Sequence, residues 1–421
     1  MRVAYLLPDP GIPVGGVKGA SVHVAEVCRA LVDAGAQVRL FAMRAVGEPP
    51  PGVELDLFEC PPLPSGPLGE GSRRQAVEEF LGWAEAELAG FGADIILERL
   101  SLFAGSGGEL AARLAVPRVV EVNAPVAEER ARHAGLALVT QAEDAERRAL
   151  TGATVLAVSP PMALWSQARG AASVRTIPNG VDADRFAPQR NAPAAAAIRS
   201  ALDADGAELV GFVGSMKPWH GVRTLMEAVA LLTPRRPRLH LLLVGEGPAL
   251  GDLRVRASQP DLAARCHLIG PVSSADVPGY LAALDVAVAP YHDPGLNEGF
   301  YFSPLKVVEA MAAARPIVAS RFQPIEAMLD GTGLLVPAGD ADALASALAD
   351  LLDDPIAARA LGLRARTRAV TRFSWRAVAA GILAMADPIA PAGAARPIGP
   401  AGAAGLAASA GAGGSLRARR R

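Results

Sequence analysis

The chain has 421 residues, enough for two or three domains, and 51% of them are apolar, so cores of ordinary size can form. Aromatic residues make up only 5%, which argues against a surface that stacks bases, and a formal net charge of −2 excludes a bulk attraction to nucleic acid or anionic membrane. Of the 41 basic residues only Lys18, Lys217 and Lys306 are lysines, so the rest of the positive charge is arginine.

Cys28, Cys60 and Cys266 are odd in number and far apart, neither a disulfide framework nor a zinc spacing, so a reducing cytoplasm is the expected location. The stretch Met1–Pro8 is too short before its proline to read as a signal peptide. No run of about 20 strongly apolar residues appears. The uncharged stretch 398–416 is mostly Gly, Ala and Ser, a poor membrane span.

In chain order, short apolar runs alternate with longer helical periods, the pattern of βαβ units on a parallel sheet. A first strand is predicted over 2–7, then a loop carrying Gly15, Gly16, Lys18 and Gly19. Val24, Val27, Cys28 and Leu31 recur at helical spacing between Ser21 and Ala34, and Gly35 ends that helix. Further strands are predicted over 38–42, 95–97, 118–121 and 155–158. The stretch 183–208, rich in Pro, Ala and Asp, reads as an interdomain linker. A second copy of the scheme follows, with strands over 209–213, 239–244, 286–289, 317–319 and 333–336 and a helix over 223–232. The expected architecture is α/β, with two facing Rossmann-like domains over 1–183 and 209–372 and a linker over 184–208.

After position 386 the sequence collapses into Pro, Gly and Ala and ends in an Arg-rich tail. Such a segment has too little apolar surface to offset its ordering entropy, so 387–421 is expected to be disordered. The arginine end is either a solvated tail or a weak peripheral tether to anionic lipid.

The three lysines all fall in turns punctuated by Gly or Pro. A compact ammonium retained in a loop before a helix suits phosphate binding, most clearly for Lys217 and Lys306 and less so for Lys18.

At these residues the chain resembles glycosyltransferase family 4. The resemblance rests on the order and spacing of Ile177-Pro-Asn-Gly-Val-Asp182, Gly211-Phe-Val-Gly-Ser-Met-Lys-Pro-Trp-His-Gly221 and Ser303-Pro-Leu-Lys-Val-Val-Glu-Ala-Met311. It is supported by the Gly15–His23 loop, Glu98-Arg-Leu-Ser101 and Glu121-Val-Asn-Ala-Pro125, and it spans roughly 1–386. It implies a GT-B fold whose last segment, 373–386, crosses back to the first domain. It also implies a retaining transfer of a hexose from a nucleoside-diphosphate sugar to a hydroxyl of a glycan, glycolipid or small-molecule acceptor. No metal and no cofactor beyond the nucleotide sugar is expected, and no nucleic-acid partner. The alternatives are a non-catalytic nucleotide-sugar-binding subunit or a sugar-nucleotide epimerase on the same fold.

The family places an arginine just after the strand glycine, here Gly214, and a lysine before the next glycine. This sequence has Ser215 and His220 there, so Lys217 is expected to reach the same phosphates, with His220 adding a hydrogen bond or partial charge. The family's paired glutamates are separated by seven residues. The second is Glu309, expected at the ribose hydroxyls; the first position holds Tyr301. Either Glu298 serves instead, or backbone amides around Phe302–Leu305 surround the donor sugar. Ser303, Pro304 and Leu305 complete the donor set with Lys306, and Gly15, Gly16 and Lys18 are expected to join it from the first domain, where Gly15, Gly16 and Gly19 would let backbone approach the diphosphate or the acceptor, the alternative for the glycines being a plain tight turn. His23, Glu98, Arg99 and Asn123, and also His133, are candidates for the acceptor side; Glu98 and Arg99 are read as following a strand, where open α/β sheets place ligands, or as forming an internal ion pair, and Asn123, also after a strand, as bonding donor or acceptor hydroxyls. His240 and His267 are read as structural and Trp375 as a packing anchor.

Overall fold

The computed structural model describes residues 1–64, 66, 69–297 and 299–386. The expectation of a disordered tail over 387–421 therefore lies outside the described residues.

Seven strands form the first sheet: β1 (Arg2–Leu7), β2 (Gln37–Ala42), β3 (Val53–Leu57), β4 (Ile95–Arg99), β5 (Arg118–Val122), β6 (Thr154–Ala157) and β7 (Ser173–Thr176). Their order is β3-β2-β1-β4-β5-β6-β7, every pair parallel. Six more form the second: β8 (Glu208–Val213), β9 (Leu239–Val244), β10 (Cys266–Gly270), β11 (Val286–Ala289), β12 (Ile317–Ser320) and β13 (Leu334–Val336). The order is β10-β9-β8-β11-β12-β13, again all parallel. Helices cover both faces of each sheet, which is why β1 and β8 are buried along nearly their whole length and read as continuous apolar runs. In each sheet the strand order reverses beside its first strand, between β1 and β4 and between β8 and β11. Open α/β sheets bind ligands beyond the carboxyl ends of the strands at such points.

The stretch expected as a linker contains a helix, Pro188–Ala201, opening on a proline at its first turn. It packs on the helix Val277–Ala283, where Gly279 lets the Ala194 and Ile198 side chains approach closely. The segment is thus part of the second domain's outer layer.

The last helix of the described residues, Trp375–Leu383, lies on the first domain. Trp375, Val378, Ala379 and Ile382 share a core with Val24, Val27 and Leu31 of the helix Gly19–Asp33. The chain crosses beside it: the Val181 amide donates to the Phe373 carbonyl at 2.9 Å, and Val181 bridges Ser374. The loop after β11 returns the contact. Leu296 and Tyr301 are buried in a core with Leu100, Val120 and Trp165 of the first domain, and the Ser159 hydroxyl donates to the Tyr301 carbonyl at 2.5 Å. No helix among the described residues is long and apolar enough to cross a membrane.

Candidate active site

A cavity of about 520 Å³ lies between the two sheets, at the carboxyl ends of their strands. A wider hollow of about 1030 Å³ on the first domain, lined by Arg118, Arg147 and Arg148, opens at the opposite edge, where β5 and β6 begin. None of the expected site residues lines that hollow, and the fold's ligand-binding end faces the smaller one.

Lys217, Lys306, Glu309, Ser303, Pro304, Leu305, Gly214, Ser215 and His220 line the interdomain cavity from the second domain. Lys18, His23, Arg99 and Asn123 line it from the first. Gly15, Gly16 and Glu98 do not. Gly15 takes φ 75° and its Cα packs against Gly47, where a Cβ would meet backbone at 2.6 Å, so its part is to shape the loop that presents Lys18. A Cβ on Gly16 would strike the Ser21 hydroxyl at 2.7 Å. Glu98 and Arg99 belong to β4 rather than following it, and strand alternation sends them to opposite faces. Glu98 is fully buried and accepts from Arg118 at 2.6 Å, the internal ion pair left open from the sequence but with a different partner. Glu298 lies outside the described residues.

Lys306 sits in the first turn of the helix Leu305–Ala312 under Gly214, whose φ of 146° and missing Cβ make the room; a Cβ there would meet Lys306 Cε at 2.7 Å. Its ammonium donates to the Tyr291 hydroxyl at 2.9 Å and lies 4.7 Å from that ring's centroid and 5.0 Å from that of Phe212. Burial lowers its pKa, Glu309 draws it back up and Lys217 opposes it, leaving about 7. Burial raises Glu309 to about 7 against the pull of Arg185 and Lys306. The helix has no side-chain cap; the Val307 amide turns back to the Pro304 carbonyl at 3.1 Å, which leaves the Leu305 and Lys306 amides to meet an anion.

His220 is buried and donates from Nδ1 to the Ser215 carbonyl at 2.5 Å. Burial and the nearby Lys306 hold its pKa down at about 2, so it is neutral and offers a hydrogen bond rather than a charge. Lys217 Nζ lies 3.5 Å from Glu129 Oε1 and 4.8 Å from the Trp219 ring centroid.

Across the cleft, Glu121 gathers three donors: Tyr5 Oη at 2.7 Å, His23 Nε2 at 2.5 Å and Arg99 Nη1 at 3.2 Å. Burial alone would raise its carboxyl, but His23, Arg99 and Tyr5 outweigh that and hold it at about 2. The ionised Glu121 thereby fixes the imidazole of His23, whose other face meets Trp375 edge-on at 5.4 Å. Trp375 is the packing anchor the sequence suggested. His133 stacks on Trp219 at 3.9 Å across the domain boundary, and His240 stacks on His267 at 5.2 Å between β9 and β10, away from the cavity.

Asn179 clamps the donor loop: its amide donates to Ser303 Oγ at 2.9 Å and its Nδ2 to the Ser303 carbonyl at 2.6 Å. Arg185 lines the cavity while pairing with Glu26 at 2.9 Å. His23 Nδ1, Asn123 Nδ2, Asn179 Oδ1 and Arg185 Nε are buried with no hydrogen-bond partner among the described residues. Buried polar groups are ordinarily matched, so the wall of this cavity keeps capacity for a polar ligand. Sequence reading missed Glu129, Tyr291 and Arg185, because their partners are distant in the chain; Asn179 lay inside a motif that reads as a plain turn. Among the described residues no group of three or more His, Cys, Asp or Glu is placed to hold a metal ion.

Residues 17–185 match the family model described as Glycosyltransferase Family 4, and residues 207–354 the model described as Glycosyl transferases group 1. A D-inositol 3-phosphate glycosyltransferase of Kineococcus radiotolerans is 33% identical over 91% of this chain and 94% of its own length. A phosphatidyl-myo-inositol mannosyltransferase of Mycolicibacterium smegmatis is 33% identical over 56% of this chain and 58% of its own. Among solved structures, sucrose-phosphate synthase of Thermosynechococcus elongatus superposes with a TM-score of 0.71 at 24% identity, covering 91% of this chain and 98% of that one. HepE of Anabaena, solved in complex with UDP and glucose, does so with a TM-score of 0.70 at 18% identity, covering 92% and 100%. Two facing parallel sheets, a cleft at their carboxyl ends and sequence likeness along nearly the whole of a relative make this chain a member of glycosyltransferase family 4, a group 1 glycosyl transferase of the GT-B fold.

Proposed function

We propose that this glycosyltransferase moves a hexose from a nucleoside-diphosphate sugar to an acceptor hydroxyl with retention of anomeric configuration, and that its own cations meet the diphosphate charge. The observation that carries the reading is the convergence of Lys217, Lys306 and Glu309 on one cavity. Glu309 would accept the ribose hydroxyls, and the diphosphate would lie between the two lysines over the uncapped start of the helix Leu305–Ala312. As the bond between the anomeric carbon and the β-phosphate oxygen breaks, its electron pair passes to that oxygen. Cations fixed there in advance stabilise the developing charge most when it is greatest. The acceptor hydroxyl attacks the same face and its proton passes to the departing phosphate oxygen.

The acceptor would enter past Lys18, His23, Arg99 and Asn123. Relatives named for D-inositol 3-phosphate and phosphatidyl-myo-inositol favour a polyol-bearing glycolipid or small molecule within the wider class of glycan acceptors. The reading places the enzyme in the cytoplasm, where three scattered free thiols are at home.

The test is transfer from UDP-glucose and GDP-mannose to a panel of inositol phosphates and glycans, with and without excess EDTA, followed by NMR of the product. The donor's anomeric configuration is expected in the product, with turnover unchanged by EDTA. An inverted product would overturn retention, and lost turnover in EDTA would overturn the assignment of charge neutralisation to the lysines.

A further inference from the structure

We propose that Glu129 is a donor-sugar contact delivered by the first domain: its carboxylate accepts hydrogen bonds from hydroxyls of the transferred sugar when the cleft is closed. The inference rests on the reading that a nucleotide sugar occupies this cavity.

Glu129 lies on the helix Val126–Ala134 of the first domain, yet its polar partners belong to the second. Tyr301 Oη donates to Glu129 Oε2 at 2.7 Å, and Lys217 Nζ approaches Oε1 at 3.5 Å. An ionised carboxylate offers roughly four acceptor positions. Tyr301 fills one and Lys217 weakly occupies another, while the side chain lines the cavity and keeps 25% of its surface exposed. A group that can only accept suits sugar hydroxyls and repels phosphate. With the ribose at Glu309 and the diphosphate between Lys306 and Lys217, the sugar is the next part of the donor, and the group next to Lys217 is Glu129.

The same helix is held across the cleft at two more points. Glu128 Oε1 accepts the Asn297 amide at 2.7 Å, and the His133 ring lies on Trp219. Glu129 therefore reaches this position only with the domains together. A sugar so held meets its carboxylate, and the favourable field that carboxylate gives to positive charge growing at the anomeric carbon, only in the closed enzyme.

The experiment measures affinity for UDP and GDP and for UDP-glucose and GDP-mannose with the full chain, Glu129→Gln and Glu129→Ala. Unfolding midpoints verify that the variants fold; both substitutions are helix-compatible. We expect the diphosphate affinity to change by less than about 3-fold while the nucleotide-sugar affinity falls about 10-fold, the loss of a hydrogen bond to a charged group. Equal weakening of both would mean that the helix merely closes the cleft. Tighter diphosphate binding with an unchanged sugar contribution would mean that Glu129 only competes for Lys217. Either result overturns the inference and leaves the donor site standing, whereas a wild-type chain that binds neither diphosphate removes both.

Discussion

The Lys306 ammonium and the Tyr291 ring form a single unit: the lysine donates to the hydroxyl at 2.9 Å while its charge lies 4.7 Å from the ring centroid. Burial drives the lysine's pKa down to about 7, so at about pH 8 the free enzyme carries it mostly neutral. A bound diphosphate favours the charged form and must raise that value. Nucleotide binding at about pH 8 is therefore expected to take up a proton, read as a dependence of calorimetric enthalpy on buffer ionisation. At about pH 6 Lys306 is already charged, while Glu309, raised to about 7, must lose a proton to accept the ribose, so the sign reverses. Lys306→Met should abolish the uptake. A proton balance that is the same at both pH values would contradict the assignment.

Lys217→Ala is expected to lower turnover by ~10²–10³, the scale set by removing one fixed group from a developing charge, with the unfolding midpoint little changed. Its side chain is 38% exposed and its ion pair with Glu129 is long, so the fold does not depend on it. Undiminished transfer would remove it from the diphosphate site.

Glu146 gives a pH dependence away from the cavity. It is buried and accepts the Ala127 amide at 2.7 Å, steadying the start of the helix that carries Glu129. Burial raises its carboxyl from 4.5 to about 7, so between those values the native chain holds a proton that the unfolded chain has lost. Stability from this group therefore falls as pH rises through that window. Glu146→Gln keeps the acceptor and should stabilise by up to ~3 kcal/mol above about pH 8, and by little near pH 5. Equal effects at both pH values in thermal unfolding would contradict this.

Trp375→Ala should cost ~3–5 kcal/mol, the range for emptying a buried aromatic site. It packs the helix Trp375–Leu383 onto Val24 and Val27 and meets His23 edge-on, so a lowered unfolding midpoint should be accompanied by weakened acceptor affinity.

The alternation of short apolar runs with helical periods made both Rossmann-like halves legible, because strands buried on two faces leave continuous runs such as those of β1 and β8. The helix Pro188–Ala201 was not legible: it contains Pro193, and among its residues only Ala195 is buried, so no apolar stripe marks it. Lys306 and Glu309 could be read because they share one motif on one helix turn. Glu129 could not, since it meets Lys217 across 88 positions and Tyr301 across 172, and a glutamate in a helix's first turn reads as a dipole partner. Glu98 and Arg99 show the limit of adjacency. Consecutive strand residues face opposite ways, so only Arg99 reaches the cavity.

The most direct test of the donor site is the unfolding midpoint of the full chain with UDP, GDP and ADP, compared with Glu309→Ala. A ligand that binds only the folded state raises the midpoint by mass action. One nucleoside diphosphate is expected to raise it selectively, with the shift lost in Glu309→Ala. No shift with any of the three, or a shift that survives Glu309→Ala undiminished, would contradict the placement of the donor at Lys217, Lys306 and Glu309.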